Sequence, residues 1–392
     1  MKKTLIIPPI LMLATLVFFA FDTAGIGLTL RNFTFDLFQR VSLADAPQDS
    51  NVILIDVDEP SLSQIGQWPW SRIDVARIVM EAANQGARAI LLDFIFAEED
   101  RTAPIKVLET WEQYTDTSAF ADAVLAIQDP DSVLASLISQ SGIAVTTFAA
   151  TNTNNALTPA KKAGFSTIGE DPVNTLIKNK GVTKSLTMLE TAASGNGSAS
   201  IDQITDGVVR TVPLFINVQG KTYPSNIAEV IRVAQGASTY IIKSSTSGAK
   251  DFSANNVPSF VSTKIGDFEV PLTARGEIWL KSQDWSNIPR YSASEFLSGK
   301  VSSELITDKI LIFGTSADGL AQTRATATSQ SVPSSLIYAQ AINQVLESDY
   351  LIRSDWFAGA EIFSAIAASL ILLVIITNLS PLYGTIFALI FI

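Results

Sequence analysis

Asp56 and Asp58 stand two residues apart at the start of "DVDEPSLSQIGQWPWSR" (56–72), directly after an apolar run. Asp93 falls within a second apolar run. In open α/β sheets, ligands enter the crevice beyond the C-terminal ends of the strands. Carboxylates gathered there could hold a cation, or the hydroxyls and amines of a small ligand. The same residues also have a structural reading. Asp58 and Glu59 can satisfy turn amides, and Asp93 can pair inside the fold with an arginine such as Arg72 or Arg210. The D-x-D spacing resembles a glycosyltransferase metal site only superficially, so no metal or catalytic residue is assigned and no cofactor is expected. "FGTSADG" (313–319) is a turn after a strand. It lacks the lysine of a Walker A loop, and its amides could form an anion nest. "TDGVVR" (205–210) turns into a strand with Arg210 at its start, as a ligand contact or a solvated hairpin residue. The ligand-binding candidates are therefore Asp56, Asp58, Trp68, Arg72, Asp93, Arg210 and Ser316.

Composition removes several kinds of chemistry. The 392 residues include no cysteine and no histidine. Thiolate nucleophiles, disulfides, His-ligated zinc, Ser-His-Asp triads and phosphohistidine are all excluded. The net charge of −11 and the lack of a basic stripe argue against non-specific nucleic-acid binding.

The elements that must position these residues read as an α/β fold with a mixed, partly parallel sheet and flanking helices. "NVILIDV" (51–57) and "ARAILLDFIF" (87–96) are continuous apolar runs, as buried strands require. Between them, 72–86 has helical spacing and ends at Gly86, which predicts a βαβ unit with parallel strands. Ser71 with Asp74 suggests a capping box at its start, and Trp70 with Val75 a hydrophobic staple. Trp68 is left to cover a sheet edge or a cleft. Residues 115–140 read as helix interrupted at Pro130, and 142–150 as a strand. Residues 151–200 and 244–262 read as irregular, with a short helix near 172–179. A hairpin turning at "VQGK" is expected within 207–224, a helix over 225–236, strands at 276–282 and 308–319, and a helix over 331–348. Ser292 and Glu295 have the spacing of a full capping box.

Residues 4–21 carry no charge, and 357–377 carry only Glu361. Each approaches the length needed to span a bilayer. Lys2 and Lys3 put the N-terminus in the cytoplasm, so the intervening chain lies outside. Residues 1–30 then form an anchor, 31–355 an extracytoplasmic domain, and 356–392 a second span with the start of a third. That last apolar run is too short to cross, which suggests a piece of a longer protein.

The order "VILIDVDEPSLSQIGQWPWSR", "GARAILLDFIF", "TDGVVRTVPL", "YPS", "YSASEFLSGKV", "KILIFGTSADGL" resembles the CHASE domain of type two. This is the extracellular sensory domain of bacterial cyclases and kinases. The resemblance spans about residues 31–350. The matching positions are Asp56, Asp58, Ser61, Trp68, Trp70, Arg72, Asp93, Asp206, Arg210, Gly314 and Ser316. Departures are Gln322, near the place of a usual Asp, the absence of a T-P in "TATSQSVP", and Tyr338 where a histidine is typical. The resemblance implies a sensory input module in the bacterial inner membrane, responding to a small-molecule or envelope stimulus and acting as a homodimer. Its output would be a class III adenylate or guanylate cyclase, or a kinase. The other readings are a membrane-anchored metal-dependent enzyme using Asp56, Asp58 and Asp93, and a non-catalytic envelope partner-binding module.

Overall fold

A computed structural model describes residues 25–42, 50–201, 206–246, 257–352 and scattered positions between 356 and 371. The chain divides into two units, Met1–Val41 with Ile352–Ile392, and Ser42–Leu351. In the first, the described helix Ile26–Val41 exposes Leu30, Phe33, Phe38 and Val41. Among the described residues, no helix is long and apolar enough to cross a membrane. The expected span 4–21, and 357–377 apart from scattered positions, lie outside the described residues.

The second unit is built on one main sheet. Its strands are β1 (Val52–Val57), β2 (Ala89–Leu92), β3 (Ala144–Thr151), β4 (Gly181–Lys184), β5 (Gly195–Ser198), β6 (Arg290–Ser292) and β7 (Ile310–Thr315). The order is β6-β1-β7-β2-β3, all parallel. β3 then pairs in parallel with β5 and antiparallel with β4. Helices cover both faces, which is why the central strands are continuously apolar: alternate side chains enter two separate cores. Ile53, Ile55, Ile90, Leu92 and Phe313 pack on the face of α1 (Glu59–Ile65), α2 (Arg72–Asn84), α3 (Pro130–Ser141) and α5 (Ala293–Leu297). Val52, Leu54, Leu91, Val145 and Ile312 pack on the face of α4 (Asn226–Ala234) and α6 (Ser334–Leu346).

The βαβ unit and the expected hairpin are present. The hairpin pairs 215–218 with 221–224 around Gln219 and Gly220, both at positive φ, as a two-residue turn between right-twisted strands demands. Pro130 starts α3 behind an Asp129 N-cap. Four expectations need correction. Residues 151–200 are not irregular. They hold β4, β5, the strand Gly164–Ile168 and the helix Thr187–Ala192, while 172–179 carries only the 3-10 turn Val173–Thr175 and the two-residue strand Lys178–Asn179. β5 reads "GNGS" because α4 lies directly on it: a Cβ on Gly195 would stand 2.8 Å from Glu229 Cγ, and one on Gly197 2.7 Å from Asn226 Cα. Residues 260–265 form a strand in a second, four-stranded sheet, and 247–256 lie outside the described residues. Neither expected capping box closes. The Asp74 carboxylate pairs with Arg77 rather than reaching back to Ser71, although Ser71 Oγ does accept from the Ile73 amide. Ser292 makes no side-chain cap, because its hydroxyl is engaged elsewhere. Trp70 and Val75 share one buried cluster, as a staple requires.

Candidate functional site

The C-terminal edge of the parallel strands carries a row of residues facing α4 and α6. Asp56 on β1 is in register with Gly314 on β7. Phe313 pairs with Leu92 on β2, so Asp93 comes next to Gly314, and its amide donates to the Phe313 carbonyl at 2.9 Å. Thr147 on β3 continues the row, donating to the Leu92 carbonyl (2.7 Å) and to Asn226 Oδ1 (3.3 Å). Both helices begin over this edge. Ser335 of α6 sits above Gly314, where an added Cβ would approach Ser335 Cβ to 2.8 Å. Asn226 of α4 sits above Gly197. Helix N-termini carry partial positive charge and free amides, so the edge is electropositive on its helix side.

The two aspartates of the row are in different states. Asp56 is buried, and both its oxygens are taken by Ser316, through the amide (2.7 Å) and the hydroxyl (2.6 Å). The anion held by the "GTSADG" turn is thus Asp56 itself. Burial raises its pKa, and the Ser316 bonds oppose that rise. Asp93 makes no side-chain hydrogen bond or ion pair among the described residues; Arg72 and Arg210 are engaged elsewhere. It stays partly accessible, yet its surroundings push its carboxyl up to about 8, wholly through desolvation. Burial of this kind disfavours the charged form of a carboxyl. Asp93 and Arg324 both act electrostatically on Tyr338, whose own pKa is raised foremost by burial. Tyr338 donates to the Ala199 carbonyl at 2.6 Å.

The remaining candidates do not join this row. Asp58 is the N-cap of α1, accepting from the Ser61 amide (2.9 Å) and the Ser292 hydroxyl (2.8 Å). Ser61 and Ser292 are themselves 2.7 Å apart, which ties β6 to α1. Trp68 lies on the opposite face, against Phe94 with ring centroids 4.1 Å apart. Arg72 is also there, stacked 4.5 Å over Phe96. Its guanidinium meets Asp131 at 3.1 Å and the Glu98 carbonyl at 3.0 Å. Trp68, Arg72 and residues 94–101 line a cleft of about 340 Å³. Arg210 is buried and bridged to Asp206 at 2.8 Å, so it is not a solvated hairpin residue. No three acidic side chains among the described residues gather closely enough to share a cation.

Sequence reasoning missed three features. Glu229 on α4 is fully buried and accepts from Arg232 (2.9 and 2.8 Å), Tyr240 (2.6 Å) and the Asn196 amide (3.1 Å). The signal was a charged pair, Glu229 and Arg232, at i,i+3 on an otherwise apolar helix. Arg324 and Ser335 had no local pattern to mark them.

The architecture is a two-faced α/β domain with polar side chains gathered at its strand ends, where folds of this class receive small ligands. The CHASE2 domain model matches residues 11–376, and the chain belongs to this family of extracellular sensory domains. No curated protein and no solved structure matches the chain.

Proposed function

We propose that the chain is the extracytoplasmic input module of a transmembrane signalling receptor, and that its stimulus enters at the strand-edge crevice beside Asp93. The observation that carries this reading is the position of α6. Its first turn lies over Gly314 in the crevice, and its last residues lead in sequence to the apolar C-terminal segment. A ligand that binds two arrangements of α6 unequally would shift their populations, and α6 is covalently continuous with the segment that must carry the signal inward. The remaining parts of the proposal are spans at 4–21 and 357–377, a homodimer, and a cytoplasmic class III adenylate or guanylate cyclase as output. Membership of a sensory family supports the input role.

The lack of cysteine makes the topology directly testable. Single cysteines at the exposed Glu59 and Glu304 should react with a membrane-impermeant maleimide on intact cells. Labelling only after lysis would place the domain in the cytoplasm and end this reading.

A further inference from the structure

The strand edge holds polar groups that nothing among the described residues satisfies. Asn226 Nδ2 and Ser335 Oγ are buried without a hydrogen-bond partner, in residues 0% and 2% exposed. Arg324, on β8 (Thr323–Thr326), leaves Nε buried and unpartnered. Its guanidinium makes one hydrogen bond, to the adjacent Thr323 carbonyl, and no ion pair among the described residues. Asp93 is likewise unpaired. A half-buried guanidinium and a carboxyl on the same crevice would ordinarily find partners, since each isolated buried charge is costly. Here both act electrostatically on Tyr338 and neither pairs with the other among the described residues.

An unpaired guanidinium and an unpaired carboxyl, the latter able to ionise against an ammonium, complement a ligand that carries both charges. We infer that the crevice binds a small zwitterion, a free α-amino acid, with its carboxylate toward Arg324, Ser335 and the first turn of α6, and its ammonium on Asp93. The proposal rests on the sensory reading above and names its stimulus. The carboxylate end gains from the α6 N-terminus and from Ser335 Oγ. Asn226 Nδ2, flanking Asp93 through Thr147, supplies a further donor. Gly314, between Asp56 and Asp93, lets Ser335 and the first turn of α6 come down onto the strand edge. A simple carboxylate would leave Asp93 without a partner, and a simple amine would leave Arg324 without one.

The proton balance separates these ligands. Burial holds Asp93 protonated at pH 7. An incoming ammonium favours the carboxylate, so the Asp93 proton leaves to solvent as the ligand binds. An incoming carboxylate alone would drive proton uptake or none. The other groups around Asp93 do not confuse this. Tyr338 on α6 stays neutral, with its pKa raised well above the usual value. Arg324 stays charged. Asp56 on β1 is held by Ser316, and Glu229 on α4 by Arg232 and Tyr240.

The test is calorimetric titration of the full chain in detergent with each of the twenty common α-amino acids, and with acetate and ethylamine as probes. It is run at pH 7 in two buffers of different ionisation heat. At least one amino acid should bind with release of close to one proton per site. Acetate and ethylamine should each bind at least about tenfold more weakly, the loss of one charge-assisted contact. Asp93→Asn should weaken the amino acid at least about tenfold and abolish proton release. Arg324→Gln should weaken it similarly and leave release intact. Circular dichroism checks that both variants are folded. No binding by any amino acid, equal binding by acetate, or unchanged binding by Asp93→Asn overturns the inference. An amino acid that binds without altering receptor output would overturn the sensory reading alone. Output that responds to another stimulus, with no amino acid bound, would overturn this inference alone.

Discussion

Replacing Asp93 with Asn should change how the stability of the domain depends on pH. The unfolded carboxyl ionises near 3.8, whereas the folded one stays protonated up to about 8. Between those values the folded state holds a proton that the unfolded state has lost. Asp93 therefore costs nothing below pH 3.8, and its cost grows as pH rises, by about 1.4 kcal/mol per pH unit. From pH 5 to pH 7 the penalty is about 2.7 kcal/mol. That figure requires only that the folded carboxyl remain protonated to pH 7. The other titrating groups, including Asp56 and Glu347 with raised values and Asp206 with a lowered one, are common to both proteins and cancel in the difference. Urea unfolding followed by tryptophan fluorescence should show the stability gap in favour of Asp93→Asn widening by about 2.7 kcal/mol between pH 5 and pH 7. Parallel stability curves from pH 5 to 7 would show that Asp93 is hydrated or paired, and the crevice argument would fail.

Gly314→Ala should destabilise the unit by about 1–3 kcal/mol by overpacking against Ser335; the added Cβ would stand 2.8 Å from Ser335 Cβ. Ser335→Gly in the same protein should recover most of that loss in a thermal melt. Arg72→Met strands the buried Asp131 carboxylate, which now meets Arg72 at 3.1 Å, and should cost about 3–5 kcal/mol. The double change Arg72→Met with Asp131→Leu should cost clearly less than Arg72→Met alone. Glu229→Ala removes the acceptor for four hydrogen bonds from Arg232, Tyr240 and Asn196. It should also cost about 3–5 kcal/mol by chemical denaturation, whereas the exposed Glu304→Ala should change stability by no more than about 0.5 kcal/mol.

What the sequence disclosed follows from how local each signal was. β1, β2, β7 and α2 were legible because burial on both faces writes an unbroken apolar run for a strand, and burial on one face writes a helical period. β5 was not legible: its glycines look like loop and are there to admit α4, about thirty residues further on. The capping pattern at Ser292 misled for the same reason, since its hydroxyl answers to Asp58 and Ser61, more than two hundred residues away. At the candidate site, Asp56 could be placed at a strand end from its neighbours alone, whereas Asp93 read as lying inside a strand over 87–96 and instead follows the end of β2 at Leu92. That Asp56 is satisfied and Asp93 is not depends on Ser316, Tyr338 and Arg324, which come to the edge only through the fold. Trp68 lines a cleft as expected, but the pairing of Asp93 with Arg72 or Arg210 does not form, because Arg72 is taken by Asp131 and Arg210 by Asp206.

Hydrogen–deuterium exchange on the full chain, with and without a saturating α-amino acid, tests the central claim most directly. If the crevice is the input site and α6 its lever, residues 224–228 and 322–338 should gain protection, and exchange should also change over 346–352. Protection confined to the cleft of Trp68 and Arg72, or no change beyond Leu346, would contradict it.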